Sequence, residues 1–234
     1  MSTTDTLTTS PESKTIRQFF DSIAVRYDFL NRLLSFRLDD GWRKKARDII
    51  LDRPYENLLD LGVGTGKFME IFLQKRSWKR RVGLDFSSEM LQTARRHLPA
   101  PGYVNADFLS LPFKPNSFDL VISAFTLRSV KDMSRFLGEI YALLQGNGKA
   151  AFLCLTRPRN AFFKILYYPY LKIYLPLMGG LISGNSRAYQ FLSESILHFQ
   201  APEETAAMMS EAGFRDIQIH PFTFGSATLI TGKK

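Results

Sequence analysis

Two acids and three alternating glycines are the residues most able to do chemistry. Asp60 closes the apolar run Leu58-Leu59 and opens a turn, Leu61-Gly62-Val63-Gly64-Thr65-Gly66-Lys67. Each glycine lets backbone approach a ligand where a Cβ would collide. An amphipathic segment, Phe68 to Leu73, follows. A strand, a tight loop and a helix start in that order form a platform for a nucleotide-like ligand. The spacing is Gly-x-Gly-x-Gly rather than the dinucleotide fingerprint, and the absence of a Lys-Ser/Thr pair at the Walker position argues against a P-loop. A second acid, Asp85, ends the run Val82-Gly83-Leu84, 19 residues beyond Gly66. An acid at such a strand end can accept both hydroxyls of a ribose. A ligand with a ribose but no pyrophosphate fits better than NAD, and S-adenosylmethionine is such a ligand. Asp60, Gly62, Gly64, Thr65, Gly66, Asp85 and Phe86 are therefore candidate cofactor contacts.

The elements that must position these residues follow from the hydrophobic pattern. Ile16, Phe19, Phe20, Ile23, Tyr27, Leu30, Leu33 and Leu34 carry helical spacing. A second helix is predicted around Asp39 to Leu51, stopped near Pro54. From there the chain alternates. Strands are expected at 57–61, 81–85, 102–105, 118–124 and 148–155, and helices at 66–76, 87–97 and 133–144. That alternation predicts an α/β fold with a parallel sheet and helices on both faces. A helix at 202–212, capped by Gly213, precedes strands at 215–221 and 225–232, which a short turn makes antiparallel. The organisation expected is a flexible tail over 1–14 and one domain over 15–234. Residues 15–54 form its helical cap, and 157–200 a helical insert covering a pocket.

The 234 residues can bury a sizeable core. The single Cys154 excludes an intrachain disulfide, and its apolar surroundings, Ala150 to Leu155, suit a small buried residue better than a nucleophile. The first 14 residues have no apolar core for a signal peptide and no arginines for a transit peptide, which places the chain in the cytoplasm. Net charge is +9, and Ile140 through Ser193 holds six basic residues and no acid. The same window carries Phe162, Phe163, Tyr167, Tyr168, Tyr170, Tyr174 and Tyr189. Basic, apolar and aromatic residues together suit an anionic membrane surface. The apolar run Ile165 to Ile182 is broken by Pro169, Lys172, Pro176 and Gly179-Gly180 and is marginal for a membrane span. Bent helices covering a pocket or lying on a membrane are expected, with peripheral contact through 157–182. Neither nucleic acid nor metal is expected; a homodimer is.

Several segments add a more specific signal. Phe20-Asp21-Ser22-Ile23-Ala24-Val25-Arg26-Tyr27-Asp28-Phe29-Leu30-Asn31, Leu33-Leu34-Ser35-Phe36, Trp42-Arg43-Lys44, Leu111-Pro112-Phe113, Phe125-Thr126-Leu127-Arg128 and Ala188-Tyr189-Gln190-Phe191-Leu192-Ser193-Glu194-Ser195-Ile196 occur in that order. With the glycine loop, they resemble the class I S-adenosylmethionine-dependent methyltransferases, and within them the UbiE/MenG family of quinone-ring C-methyltransferases. The resemblance implies a Rossmann-like seven-stranded sheet with one reversed strand. It implies methyl transfer to a ring carbon of a demethylated menaquinol or 2-polyprenyl benzoquinol. It also implies cofactor contacts at Thr65, Asp85 and Asp107, with Phe108 beside the last. Ala124 stands where the family usually has a serine near the cofactor. Cys154 stands where it usually has a glutamate, and Gln145-Gly146-Asn147-Gly148 replaces its usual Lys-Pro-Gly-Gly turn.

Methyl transfer from a sulfonium is an in-line displacement that needs alignment, a dry pocket and a nucleophilic carbon. A quinol carbon becomes nucleophilic when a ring hydroxyl loses its proton, so the site needs a base or a cation that stabilises the phenolate. Arg128, just past the fourth strand, is the first candidate for that cation. Tyr27 and Asp28 are candidates for closing over the cofactor, Tyr189 and Glu194 for bonding the ring oxygens, and His198 for a base near neutral pH. The competing readings are a methyltransferase acting on RNA or another small molecule, and a non-catalytic cofactor-binding scaffold in a quinone biosynthetic complex.

Overall fold

The computed structural model describes residues 35–99, 101–183 and 186–234. The expected tail, the helix Ile16–Leu34 and the candidates Tyr27 and Asp28 lie outside the described residues. The chain runs α1 (Leu38–Ile50), β1 (Asn57–Leu61), α2 (Lys67–Leu73), β2 (Arg80–Asp85), α3 (Ser88–His97), β3 (Gly102–Asn105), β4 (Phe118–Ala124), α4 (Met133–Leu143) and β5 (Leu144–Leu155). The insert follows as α5 (Ala161–Pro169), a π turn (Tyr170–Tyr174), α6 (Leu175–Ser183) and α7 (Ser186–His198). Then come α8 (Pro202–Glu211), β6 (Arg215–Phe222) and β7 (Ala227–Lys233).

The sheet has seven strands in the order β3-β2-β1-β4-β5-β7-β6. β7 is antiparallel to both of its neighbours, and the other pairings are parallel. The single reversed strand is therefore β7. Buried residues divide between the two faces. Trp42, Ala46, Ile50, Phe68, Phe72 and Leu91 pack on one, and Phe136, Ile140, Phe152 and Met209 on the other. Local chemistry fixes the starts of the elements. The Asp119 carboxylate accepts from the N–H groups of Glu56 and Asn57, both at 2.8 Å, and so ties β1 to β4. Ser87 and Asp132 cap α3 and α4 by accepting from the N–H of Met90 and Arg135. Gly213, at φ 101°, stops α8 as its sequence position predicts.

The structure shifts some boundaries. α2 ends at Leu73 rather than residue 76. β5 begins at Leu144, which pairs with Phe118 instead of prolonging α4; the register then shifts, with Asn147 at φ 63°, before Lys149 pairs with Leu120. In the insert, Pro169 lacks the N–H that an α-helix would use, and the backbone passes into the π turn directly after it. α6 and α7 then pack closely where Gly179 faces the Tyr189 ring. An added Cβ at Gly179 would lie 2.3 Å from Tyr189 Cγ.

Gly179→Ala gains about 1 kcal/mol of helix propensity, but overpacking against a buried ring costs about 1–3 kcal/mol. The expected result is a net loss of stability in urea denaturation; an unchanged or higher midpoint would show that the two helices separate freely.

Candidate active site

The glycine loop leaves the carboxyl end of β1 through three residues with positive φ, Gly62 at 73°, Gly64 at 54° and Gly66 at 90°. Gly62 and Val63 both donate to the Leu84 carbonyl, at 2.8 and 3.0 Å, which pins the loop over β2. A Cβ at Gly62 would sit 2.3 Å from Thr126 Oγ1, so only glycine fits there. Asp85 holds the loop from the other side. Its carboxylate accepts from Gly64 N–H at 2.8 Å and from Ser87 N–H at 3.0 Å. It therefore orders the loop while facing the cavity.

That cavity is narrow, about 60 Å³, and is lined by Gly62, Gly64, Thr65, Asp85, Phe86, Phe108, Ala124 and Phe125, with Arg43 closing one end. Phe86, Phe108 and Ser129 also line a second small cavity, of about 70 Å³, which contains Asp107. The Phe86 and Phe108 rings meet edge to face between the two cavities, 6.0 Å apart. Thr65, Asp85, Asp107, Phe108 and Ala124 thus line one discontinuous slot. Asp107 is exposed, and its carboxylate accepts from Leu109 N–H at 2.8 Å. Beneath the slot, Asp60 is 1% exposed, and neither of its carboxyl oxygens has a hydrogen-bond partner among the described residues. Burial first, then the neighbouring Asp85 carboxylate, push the Asp60 carboxyl up to about 8.

A much larger cavity, about 500 Å³, adjoins this slot under the insert. Its walls are mainly apolar and aromatic, including Phe36, Tyr167, Tyr170, Leu171, Tyr189 and Ile196, and among the described residues its only charged lining residues are Asp39, Arg43 and Arg128. Arg128 and Tyr189, predicted separately, are brought into one chamber. Arg128 donates to Ser195 Oγ at 3.1 Å, a partner the sequence analysis did not single out. Glu194 and His198 do not join them. Both are exposed and line a further cavity beyond Arg128, and His198 Nδ1 lies 2.9 Å from the Glu194 carbonyl. Glu194 is five residues from Tyr189, about 140° around the helix, so the two side chains leave α7 on different sides. Cys154 is buried, and burial pushes its thiol up to about 12, which suits packing and not nucleophilic attack.

The residue missed altogether is Arg43. It is 7% exposed, pairs with the buried Asp39 one turn earlier, and lies over the Phe125 ring, 5.0 Å from its centroid. The available signal was two charges, Asp39 and Arg43, on the same stripe of α1 as Trp42, Ala46 and Ile50.

A reversed seventh strand, a glycine loop at the end of β1 and an acid at the end of β2 define a class I S-adenosylmethionine-dependent methyltransferase. The same architecture occurs in a Thermotoga maritima SAM-dependent methyltransferase, described as a possible histamine N-methyltransferase. It has TM-score 0.68 and 21% identity, over 94% of this chain and 99% of that one. Human N-acetylserotonin methyltransferase in complex with SAM gives TM-score 0.65 at 19% identity, over 96% of this chain and 60% of that one. The chain belongs to the ubiE/COQ5 methyltransferase family, whose profile matches residues 8–234. It is 41% identical to a demethylmenaquinone methyltransferase of Thermus thermophilus, over 92% of this chain and 99% of the relative. It is 38% identical to a ubiquinone/menaquinone biosynthesis C-methyltransferase UbiE of Geotalea daltonii, over 94% and 96% respectively.

The raised Asp60 carboxyl has a measurable consequence. The native state keeps this proton up to about pH 8 and the unfolded state only to about pH 4, so native Asp60 holds more proton in between. Its contribution to stability therefore falls as pH rises through that window. Asp60→Asn should remove the fall, leaving the variant about 1–3 kcal/mol more stable than the parent near pH 8 and closer to it near pH 5. Urea unfolding at both pH values checks this; parallel curves would refute it.

Proposed function

We propose that the chain transfers a methyl group from S-adenosylmethionine to a ring carbon of a polyprenylated quinol, either a demethylated menaquinol or the 2-polyprenyl benzoquinol counterpart. The observation that carries the reading is the pairing of cavities. A narrow glycine-cradled slot lined by Asp85 meets a large, mainly apolar chamber at Arg43 and Phe125, and the buried Asp60 lies on the strand that leads into the glycine loop. The slot suits a ligand that brings an ammonium for Asp60 and a ribose for Asp85, with Thr65 and the loop backbone between them. The chamber is of the size that encloses a small organic ligand.

The cofactor, when bound, supplies an electrophilic methyl group. The rest is the work of the chain. The apolar walls exclude water, and Tyr189 fixes the depth of the chamber. Arg128 offers N–H donors to a quinol oxygen and remains charged at any physiological pH. A water leaving past Arg128 takes the hydroxyl proton. A C–C bond would then form as the donor's C–S bond breaks; the ring carbon loses its hydrogen as a proton, and the ring oxygen takes one proton back as the ring regains aromaticity. Quinol and sulfonium become methylated quinol, thioether and one proton.

The quinol's tail needs a way out, and the insert supports one. Phe162, Ile165, Ile173, Leu177 and Leu181 are all more than half exposed, and with the exposed Pro169 between Ile165 and Ile173 they recur every three or four residues along α5, the π turn and α6. Such a continuous apolar stripe on an exposed helical face suits the interfacial layer of a membrane. Leu166, Phe36 and Phe224, also exposed, belong both to the surface and to the chamber wall. Among the described residues no helix is long and apolar enough to cross a membrane. We read the stripe as a peripheral lipid contact that delivers the acceptor.

Two outcomes test these readings. The purified protein should methylate a short-chain demethylmenaquinol or its benzoquinol counterpart, and Arg128→Ala should lower turnover well beyond any change in cofactor affinity. Cofactor binding without turnover on any quinol would leave the scaffold reading. The parent should also float with vesicles containing anionic lipid, and the double variant Ile173→Glu, Leu177→Glu should not; absence of flotation for the parent removes the membrane contact.

A further inference from the structure

We propose that Arg43 is a second catalytic cation, holding the quinol oxygen adjacent to the carbon that receives the methyl group. This inference rests on the proposed quinol reading and adds to it a residue that nothing above requires.

The geometry singles out Arg43. Among the described residues only Arg43 and Phe125 line both the cofactor slot and the acceptor chamber. Methyl transfer must take place where those spaces meet. Arg128 stands elsewhere on the wall, shared with the cavity that contains His198. Arg43 is also held in place. Asp39 pairs with it, and Ser35 donates to Asp39 at 2.7 Å. The neighbouring Trp42 anchors α1 to the turn before β7 by donating to Thr223 Oγ1 at 2.8 Å. Phe125, beneath the guanidinium, has left-handed backbone at φ 62° and donates its N–H to the Leu153 carbonyl at 2.6 Å. Such strain persists only where the surroundings fix it. Arg43 Nε is buried and has no hydrogen-bond partner among the described residues. A fixed cation with a spare donor, at the junction, is suited to charge that develops on an acceptor.

A para-quinol has two oxygens on opposite sides of its ring. The carbon facing the methyl donor is activated most directly by the oxygen next to it. Arg43, at the junction of slot and chamber, is placed for that oxygen. A cation within hydrogen-bonding distance lowers the pKa of an acid by about 1–3 units. For a phenol that ionises near pH 10 in water, this raises the reactive fraction at neutral pH by roughly 10- to 1,000-fold.

The test uses 1-naphthol, whose ionisation is visible in its absorbance, bound to the full chain loaded with S-adenosylhomocysteine. In the parent its pKa should be depressed by about 1–2 units, and in Arg43→Met restored to the solution value. With a quinol substrate, kcat at neutral pH should fall about 10- to 100-fold in Arg43→Met, and its alkaline limb should move up by the same 1–2 units. Arg43→Lys should keep most of the depression, and Arg43→Gln should lose it, so one of these pairs gives an answer if the Met variant does not fold. An unchanged naphthol pKa in a folded Met or Gln variant overturns the proposal. So does a loss of cofactor affinity above about 30-fold with turnover at saturating cofactor intact, which would assign Arg43 to the cofactor's carboxylate. Failure of the quinol reading looks different, since the parent itself would then neither bind naphthol nor methylate a quinol.

Discussion

Charge is buried at the carboxyl end of this sheet, and that cost organises what surrounds it. Asp39, Arg43, Asp60 and Asp85 are each less than a tenth exposed. An ionised group withdrawn from water is costly unless paired and hydrogen-bonded. Asp85 is satisfied by loop amides, and Asp39 and Arg43 by each other. Among the described residues Asp60 is the least satisfied: burial and the neighbouring Asp85 outweigh the Arg43 charge and the Met69 backbone, and it keeps its proton instead. A ligand bringing an ammonium would complete it. The glycine loop, the close approach of Thr126 to Gly62 and the strained Phe125 all lie within this same small region.

The parts of the fold that are decided locally were readable in the chain. β1, β3 and β4 occupy the expected 57–61, 102–105 and 118–124, because each is a short apolar run bounded by turn-forming residues. The reversed strand followed from the short connection at Thr223–Gly225. The boundary of β5 was not readable, since Leu144 takes its conformation from pairing with Phe118, more than twenty residues earlier, ahead of an irregular stretch in the register. The insert was legible as broken helix, but the π turn after Pro169 and the seating of Tyr189 on Gly179 depend on how helices meet.

The same division runs through the site. Asp85, the glycines and Thr65 belong to one local motif and fall where the motif puts them. Arg128 and Tyr189 come from elements 61 residues apart in the chain, and their shared chamber exists only in three dimensions. Glu194 and His198 looked equivalent to Tyr189 by proximity in sequence, and helix geometry turned them away. Arg43 stood in the sequence only as part of the segment Trp42-Arg43-Lys44, and packing is what encloses it.

The departure at Cys154 bears on how the chamber works. A glutamate, which the family usually carries there, would bring a second negative charge toward Arg128. Cys154 is close enough for Arg128 to act on its thiol, yet burial keeps that thiol protonated far above neutral pH. The position therefore contributes no charge. With Asp39 committed to Arg43, and no other acid among the described residues lining the chamber, an oxygen anion on the acceptor would meet little competition from them for Arg128. A neutral residue at 154 is thus compatible with a site that stabilises a phenolate by its cations and leaves proton removal to water.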